Sequence, residues 1–288
     1  MSFYHKMRDA MYERGLPYSG SIKQYPDKYH VFTSENDECK DKCCRYRIFT
    51  NELGAHFVCW RRDINLYWFP REYKTFTPIE KAQFSQERER AKKLQLEQQQ
   101  EALKSARKDW SQAKPINLNH QYVIKKSIIP IYAKQKSSNI LLPIYNSKGQ
   151  IISTQEIYPD GMKRFAKGAS MSGGMLFLGE HVTPIIRICE GWATGCSIHE
   201  AVGETVIVSF SGNNLENVAI EIHRLCPKSK LLICGDTGDA GIKYAERAVK
   251  ATNSKSVYPK ININGKDFND LHQLEGIEEL RKQLGEGD

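Results

Sequence analysis

The chain has no run approaching 18 consecutive apolar residues among its 288, so no segment reads as a membrane-crossing helix. Its first residues, MSFYHKMRDAMYERG, lack the apolar stretch of a secretory signal, and the two absences together point to a cytoplasmic protein with no membrane partner. No G-x-x-x-x-G-K-[ST] occurs, so a fused P-loop ATPase is not indicated. Paired C-x-x-C knuckles are missing too. The eight cysteines (Cys39, Cys43, Cys44, Cys59, Cys189, Cys196, Cys226, Cys234) are scattered. In a cytosolic chain they read as reduced, mostly buried thiols and not as disulfides. Neither Gly nor Pro occurs between Ile79 and Ala113, which leaves that stretch free to be one helix.

Charge is present in excess and unevenly placed. The formal net charge is +8, yet from Ile185 onward lie 12 of the 42 Lys and Arg and 15 of the 34 Asp and Glu, leaving 30 against 19 upstream. A basic front joined to an acidic end suits a protein that meets nucleic-acid phosphate, because Lys and Arg contacts supply most non-specific affinity. Alternatively, the basic excess serves solubility alone.

The acidic end is patterned. PIIRIC (Pro184 to Cys189), TVIVSF (Thr205 to Phe210) and KLLIC (Lys230 to Cys234) are short apolar runs, each followed by a loop and a helix-like stretch. This is the alternation of a mostly parallel sheet, in which ligands lie at the carboxyl ends of the strands. Glu190 in ICEGWATG, and Asp236 and Asp239 in LLICGDTGDAG, would gather on that rim with the segment Ser211 to Asn214, and Asp267 and Asp270 in GKDFNDL form a third acidic cluster. Clustered carboxylates suit Mg2+, which keeps its remaining positions for water and phosphate oxygens. Each cluster has a plainer reading. GDTGDAG alone is an ordinary strand-to-helix turn, DFND a helix start capped by Asp267 or Asn269, and EGWATG a glycine loop of the kind that binds any anion.

Taken in order, EGWATG, SFSGNNL, GDTGDAGIKYA and GKDFNDLHQLEG resemble the Toprim domain shared by bacterial-type primases, topoisomerases and some nucleases, most closely its version in primases of plasmids and phages. The resemblance covers about the last 105 residues. It implies that Glu190 acts in general acid/base chemistry and that Asp236, with Asp239 and one of Asp267 or Asp270, holds Mg2+ or Mn2+. One departure stands out: the family reads D-x-D-x-x-G, whereas here Gly238 occupies the second Asp position and Asp239 lies one residue later. A glycine that took positive φ could swing Asp239 toward the metal, while the one-residue shift could equally turn it away.

Upstream, KYHVFT, RYRIFT, AHFVCW and NLYWF, with the turn NELG at Asn51 to Gly54, predict a small antiparallel sheet over residues 1–77. Primases often begin with a zinc-binding ribbon. The spacing of Cys39, Cys43, Cys44 and Cys59, with His30 and His56 nearby, lacks paired knuckles, so a metal-free or degenerate ribbon is expected and zinc is the alternative. Arg45, Arg47, Arg61 and Arg62, interleaved with Tyr46, Phe57, Trp60, Tyr67 and Trp68, offer either a single-strand stacking surface or simply a core. Residues 78–114 predict a linker helix of about 45 Å that would hold the two ends apart and that Pro115 ends; Leu96, Leu103 and Trp110 are too few for a coiled coil.

Residues 115–180, with turn signals NSKG and PDG, resemble the small α+β domain preceding Toprim in plasmid and phage primase-like proteins, extending the match to roughly the last 170 residues. There the resemblance implies template or nucleotide contacts, assigned to Lys163 and Arg164 and, more weakly, Lys125 and Lys126; Arg61 and Arg62 join them from the N-terminal region. The plain reading of Lys163 and Arg164 is strand-edge charge.

The sequence therefore predicts an α/β chain with a Toprim domain at 181–288. The implied function is a primase-like nucleotidyltransferase that makes primers on single-stranded DNA from NTPs, with any helicase a separate partner. A Toprim nuclease and a non-catalytic single-strand-binding replication accessory protein are the alternatives.

Overall fold

The aromatic runs near the N-terminus fold as their period-two alternation dictates. The computed structural model describes residues 2–285 except 24–27, 36–41, 50–51, 60–61, 63, 72–74, 169–170 and 262–265. Helix α1 (Phe3–Glu13) precedes β1 (His30–Phe32), β2 (Cys44–Ile48), β3 (Ala55–Cys59) and β4 (Ile64–Trp68), an antiparallel sheet in sequence order. Side chains alternate between the faces of a strand. Cys44, Tyr46 and Ile48 thus meet Ala55, Phe57 and Cys59 in a core closed by Met7, Ala10 and Met11 of α1. Tyr46 and Phe57 are wholly buried, so of the two readings, stacking surface or core, these two take the core. Arg45, Arg47, His56 and Tyr67 take the other face, where the His56 and Tyr67 rings stack at 4.3 Å. Trp60, Arg61 and Cys39 lie outside the described residues.

Helix α2 (Pro78–Gln112) starts at a reciprocal cap in which Glu80 N–H donates to Thr77 Oγ1 (3.2 Å) and Thr77 N–H donates to Glu80 Oε2 (2.8 Å). It stops three residues short of Pro115, as the restricted residue before a proline requires. Its buried positions in the second half are Ala102 and Ala106, whereas Leu96 is exposed. The chain divides into two compact units, residues 1–96 and 97–288, with the boundary inside α2.

In the second unit, β5 (Lys114–Pro115), α3 (Gln121–Lys126), β6 (Lys134–Lys136), β7 (Asn139–Tyr145), β8 (Ile151–Ile157) and β9 (Lys163–Phe165) give an antiparallel sheet in sequence order, turning at NSKG and PDG. A second sheet follows from β10 (Leu176–Leu178), β11 (Ile185–Cys189), α4 (Trp192–Val202), β12 (Val206–Val208), α5 (Gly212–Leu225), β13 (Lys230–Cys234), α6 (Asp239–Thr252), β14 (Lys255–Val257), α7 (Phe268–Glu275) and α8 (Ile277–Gly285). Its order is β10-β12-β11-β13-β14, parallel except for β10. Alternation again sorts the side chains. Ile186, Ile188, Ile207, Leu231 and Ile233 pack under α5 and α6, while Cys189, Val206, Val208 and Cys234 face α4, α7 and α8. This second core also takes in Tyr122, Ile140, Leu142, Ile144 and Ile157, so the antiparallel sheet and the parallel sheet share one apolar interior. The edge strand β10 lies upstream of residue 181, where the sequence placed the start of the C-terminal domain.

Candidate active site

Two carboxylates emerge at one rim because their strands end in register. Cys189 of β11 pairs with Cys234 of β13, so Glu190 and Asp236 leave adjacent parallel strands at the same rim. The chain order reverses beside β11, with β12 on one flank and β13 on the other, which is the crevice where open α/β sheets bind ligands. Beyond β12, Ser209 N–H donates to Cys189 O and Phe210 N–H donates to Glu190 O, each at 2.9 Å. Phe210 adopts φ 66°, a left-handed conformation costing a bulky residue about 1 kcal/mol or more. The turn it makes brings the Gly212 N–H to the Glu190 carboxylate. A Cβ on Gly212 would strike the Tyr244 ring, so any side chain there would have to push that ring aside.

The third acidic segment arrives on α7. Asp267 is its N-cap: Oδ1 accepts from Asn269 N–H (2.8 Å) and Asp270 N–H (2.9 Å), and Oδ2 accepts from the Thr194 hydroxyl of α4 (3.0 Å). Asp270 completes a capping box and faces Lys126 Nζ at 3.3 Å and Lys266 Nζ at 3.8 Å. The helix-cap reading of DFND is therefore physically present. Thr237 N–H donates to Lys266 O (3.1 Å), tying the GDTGDAG loop to this segment.

Electrostatics show which charges meet. Burial pushes Asp236 up to about 7, helped by Asp267, Glu190 and Asp270 and opposed by Lys163. Burial likewise raises Glu190, against the pull of Lys163 and the Gly212 N–H, with Asp267 adding to the rise. Lys163 of β9 thus reaches the carboxylates from the antiparallel sheet, and a Cβ placed on Gly191 would lie 4.0 Å from its ammonium. These are hard oxygen donors near enough to act on one another's charge, the chemistry that Mg2+ or Mn2+ takes, although among the described residues no three carboxylates have oxygens within 4.8 Å of one another.

Residues 185–278 match the family model described as the Toprim domain. The C-terminal part of this chain is a Toprim domain. Beyond it, the chain is 28% identical over 258 residues to the DNA primase TraC of Escherichia coli, covering 81% of this chain and 24% of the relative. A second DNA primase TraC of Escherichia coli is 30% identical over 144 residues, covering 45% of this chain and 10% of the relative. The chain thus spans a quarter or less of the length of these curated relatives. Among solved structures, a chain from the bacteriophage T7 lagging-strand DNA polymerase interacting with primase domains is similar at TM-score 0.45 and 13% identity, covering 61% of this chain and 92% of that one.

Other foreseen residues lie apart from the Toprim rim. Asp239 opens α6 and is exposed, and it is not among the groups acting on Asp236. Gly238 has φ −76°, so its freedom to take positive φ is not used. Gly241, by contrast, leaves no room for a Cβ, which would lie 2.7 Å from Asp236 O. Arg164 neighbours Lys163 but turns away, its guanidinium 5.4 Å from the Tyr158 ring centre. Lys125 is exposed on α3, and Lys126 is committed to Asp270. Sequence reasoning missed Thr194 and Lys266, and offered Asn269 only as a possible cap; Asp267 is the cap, and the buried Asn269 Nδ2 donates instead to Lys126 O (2.8 Å) and Ser197 Oγ (2.9 Å). The asparagine inside DFND was the available signal.

The N-terminal unit holds a second ligand-rich cluster. The thiols of Cys43, Cys44 and Cys59 are buried, with Sγ separations of 3.6, 3.5 and 3.9 Å. Arg62 Nη1 lies 4.0 Å from the Cys44 sulfur. Three sulfurs bound to one tetrahedral zinc at about 2.3 Å stand about 3.8 Å apart, so the cluster fits that ion. Among the described residues, no helix is long and apolar enough to cross a membrane.

Proposed function

We propose that the chain is a DNA primase-like nucleotidyltransferase that extends short primers on single-stranded DNA from NTPs, in the replication of a plasmid, phage or other mobile element. The observation that carries this is the convergence of Glu190, Asp236 and Asp267 on one rim with Lys163 arriving from the upstream sheet. A nuclease needs only the carboxylates. The likeness to the primase TraC, however, runs over 81% of the chain and so includes the sheet that delivers Lys163.

Glu190 and Asp236 would hold a divalent cation, which when bound supplies positive charge against triphosphate oxygens. Lys163 orients phosphate as a cation that needs no metal. Arg45 and Tyr67, exposed on the face of the N-terminal sheet opposite α1, fit a strand's phosphates and bases. The thiol cluster of Cys43, Cys44 and Cys59 holds zinc in this reading, in place of the metal-free ribbon that spacing alone suggested. Any helicase is a separate chain, and work on DNA templates of this kind carries a cytoplasmic location.

The test is incubation of the full chain with single-stranded template, NTPs and Mg2+ or Mn2+. Template-dependent oligoribonucleotides are expected. Cleavage of the template would make the chain a nuclease, and binding without either product would make it an accessory protein.

A further inference from the structure

We propose that the Toprim rim of this chain takes one divalent cation, held between Glu190 and Asp236, and that the Lys163 ammonium stands where a second positive charge is needed. This rests on the metal-dependent reading above and sharpens it, because the family pattern and the five acidic residues of the motifs invite a two-ion site.

The donors do not add up to two ions. Asp267 accepts three hydrogen bonds as the cap of α7, two from backbone N–H groups and one from Thr194. Asp270 is neutralised by Lys126 and Lys266 and also accepts the Asp267 N–H at 3.4 Å. An ion seated on Asp270 would have to displace two ammonium groups. That arrangement is fixed from behind: Asn269 is wholly buried and pins α7 to the end of α3 and to Ser197 of α4, so the cap cannot easily swing. Asp239 is exposed at the start of α6, and the backbone at Gly238 is ordinary extended chain that does not redirect it.

Glu190 and Asp236 remain. They have no ion pair shorter than 4.0 Å among the described residues, and they leave neighbouring strands whose backbones run about 4.8 Å apart. Lys163, which acts on both carboxylates, would meet a second divalent ion at close range and repel it.

Mn2+ titration of the full chain by calorimetry, with free Mn2+ followed by electron paramagnetic resonance, tests this without relying on activity. One ion per chain is expected. Glu190→Gln and Asp236→Asn should each weaken binding at least tenfold, Asp239→Asn should change it less than twofold, and Lys163→Met should tighten it several-fold by removing a repelling charge. Two ions in the unmodified chain, or a tenfold loss with Asp239→Asn, would overturn the assignment while leaving a metal-dependent enzyme. No Mn2+ bound at all would overturn the metal-dependent reading itself.

Discussion

The thiol cluster of the N-terminal unit and the carboxylate cluster of the Toprim domain are both built at the ends of strand pairs, but by opposite kinds of sheet. In the antiparallel hairpin, Cys44 sits directly opposite Cys59, with Cys43 beside them, so the ligands point into the core and are buried. In the parallel sheet, in-register strands release Glu190 and Asp236 together into loops, half-buried at a rim that a substrate can reach. Soft ligands sealed in a core suit an ion that holds structure. Hard ligands at an open rim suit an ion that meets phosphate.

Breaking the first cluster should therefore cost stability, and breaking the second should cost chemistry. The largest expected effect is Cys59→Ser, which should abolish zinc content and destabilise residues 1–96 by on the order of 3–5 kcal/mol. Hydrogen exchange should show that unit opening while β11 and β13 stay protected. Unchanged zinc or uniform protection would dissolve the contrast. Next, Asn269→Ala removes the donors that pin α7, and should lower stability by about 2 kcal/mol in urea unfolding; no loss would show that the pin is dispensable.

Asp236 sharpens the comparison by pH. Its folded value of about 7 lies above the ordinary aspartate value of about 3.9, so the folded chain holds this proton more tightly than the unfolded chain does. That contribution is complete below about pH 4 and is lost as pH rises through 7. Metal-free Asp236→Asn should thus equal the unmodified chain near pH 4 and exceed it by on the order of 2 kcal/mol at pH 8. Matching stabilities at pH 8 would contradict the burial of Asp236, and the neighbouring carboxylates, as the source of its raised value. The smallest effect is expected at Thr77→Ala, where losing one cap should cost about 1 kcal/mol, read as a lower thermal midpoint.

Much of the fold was legible. PIIRIC, TVIVSF and KLLIC became β11, β12 and β13, and the Gly- and Pro-free stretch became α2, because apolar runs and helix propensity are local signals. Helix α1 was passed over, although Met7, Ala10 and Met11 mark its buried face. At the site, order of motifs located Glu190 and Asp236, but the environment of Asp270 depends on Lys126, which is 144 residues away in sequence. No local pattern encodes such a partner. Period-two reasoning could have separated Lys163 from Arg164, and Tyr46 from Arg45, since neighbours on a strand face opposite ways.

The central claim is that the rim formed by Glu190 and Asp236 performs nucleotide polymerisation. It is tested most directly by template-dependent oligoribonucleotide synthesis in Glu190→Gln and Asp236→Asn chains whose folding is verified by circular dichroism. Both should lose synthesis at least a hundredfold while remaining folded. Synthesis persisting at the unmodified rate in both would contradict the account.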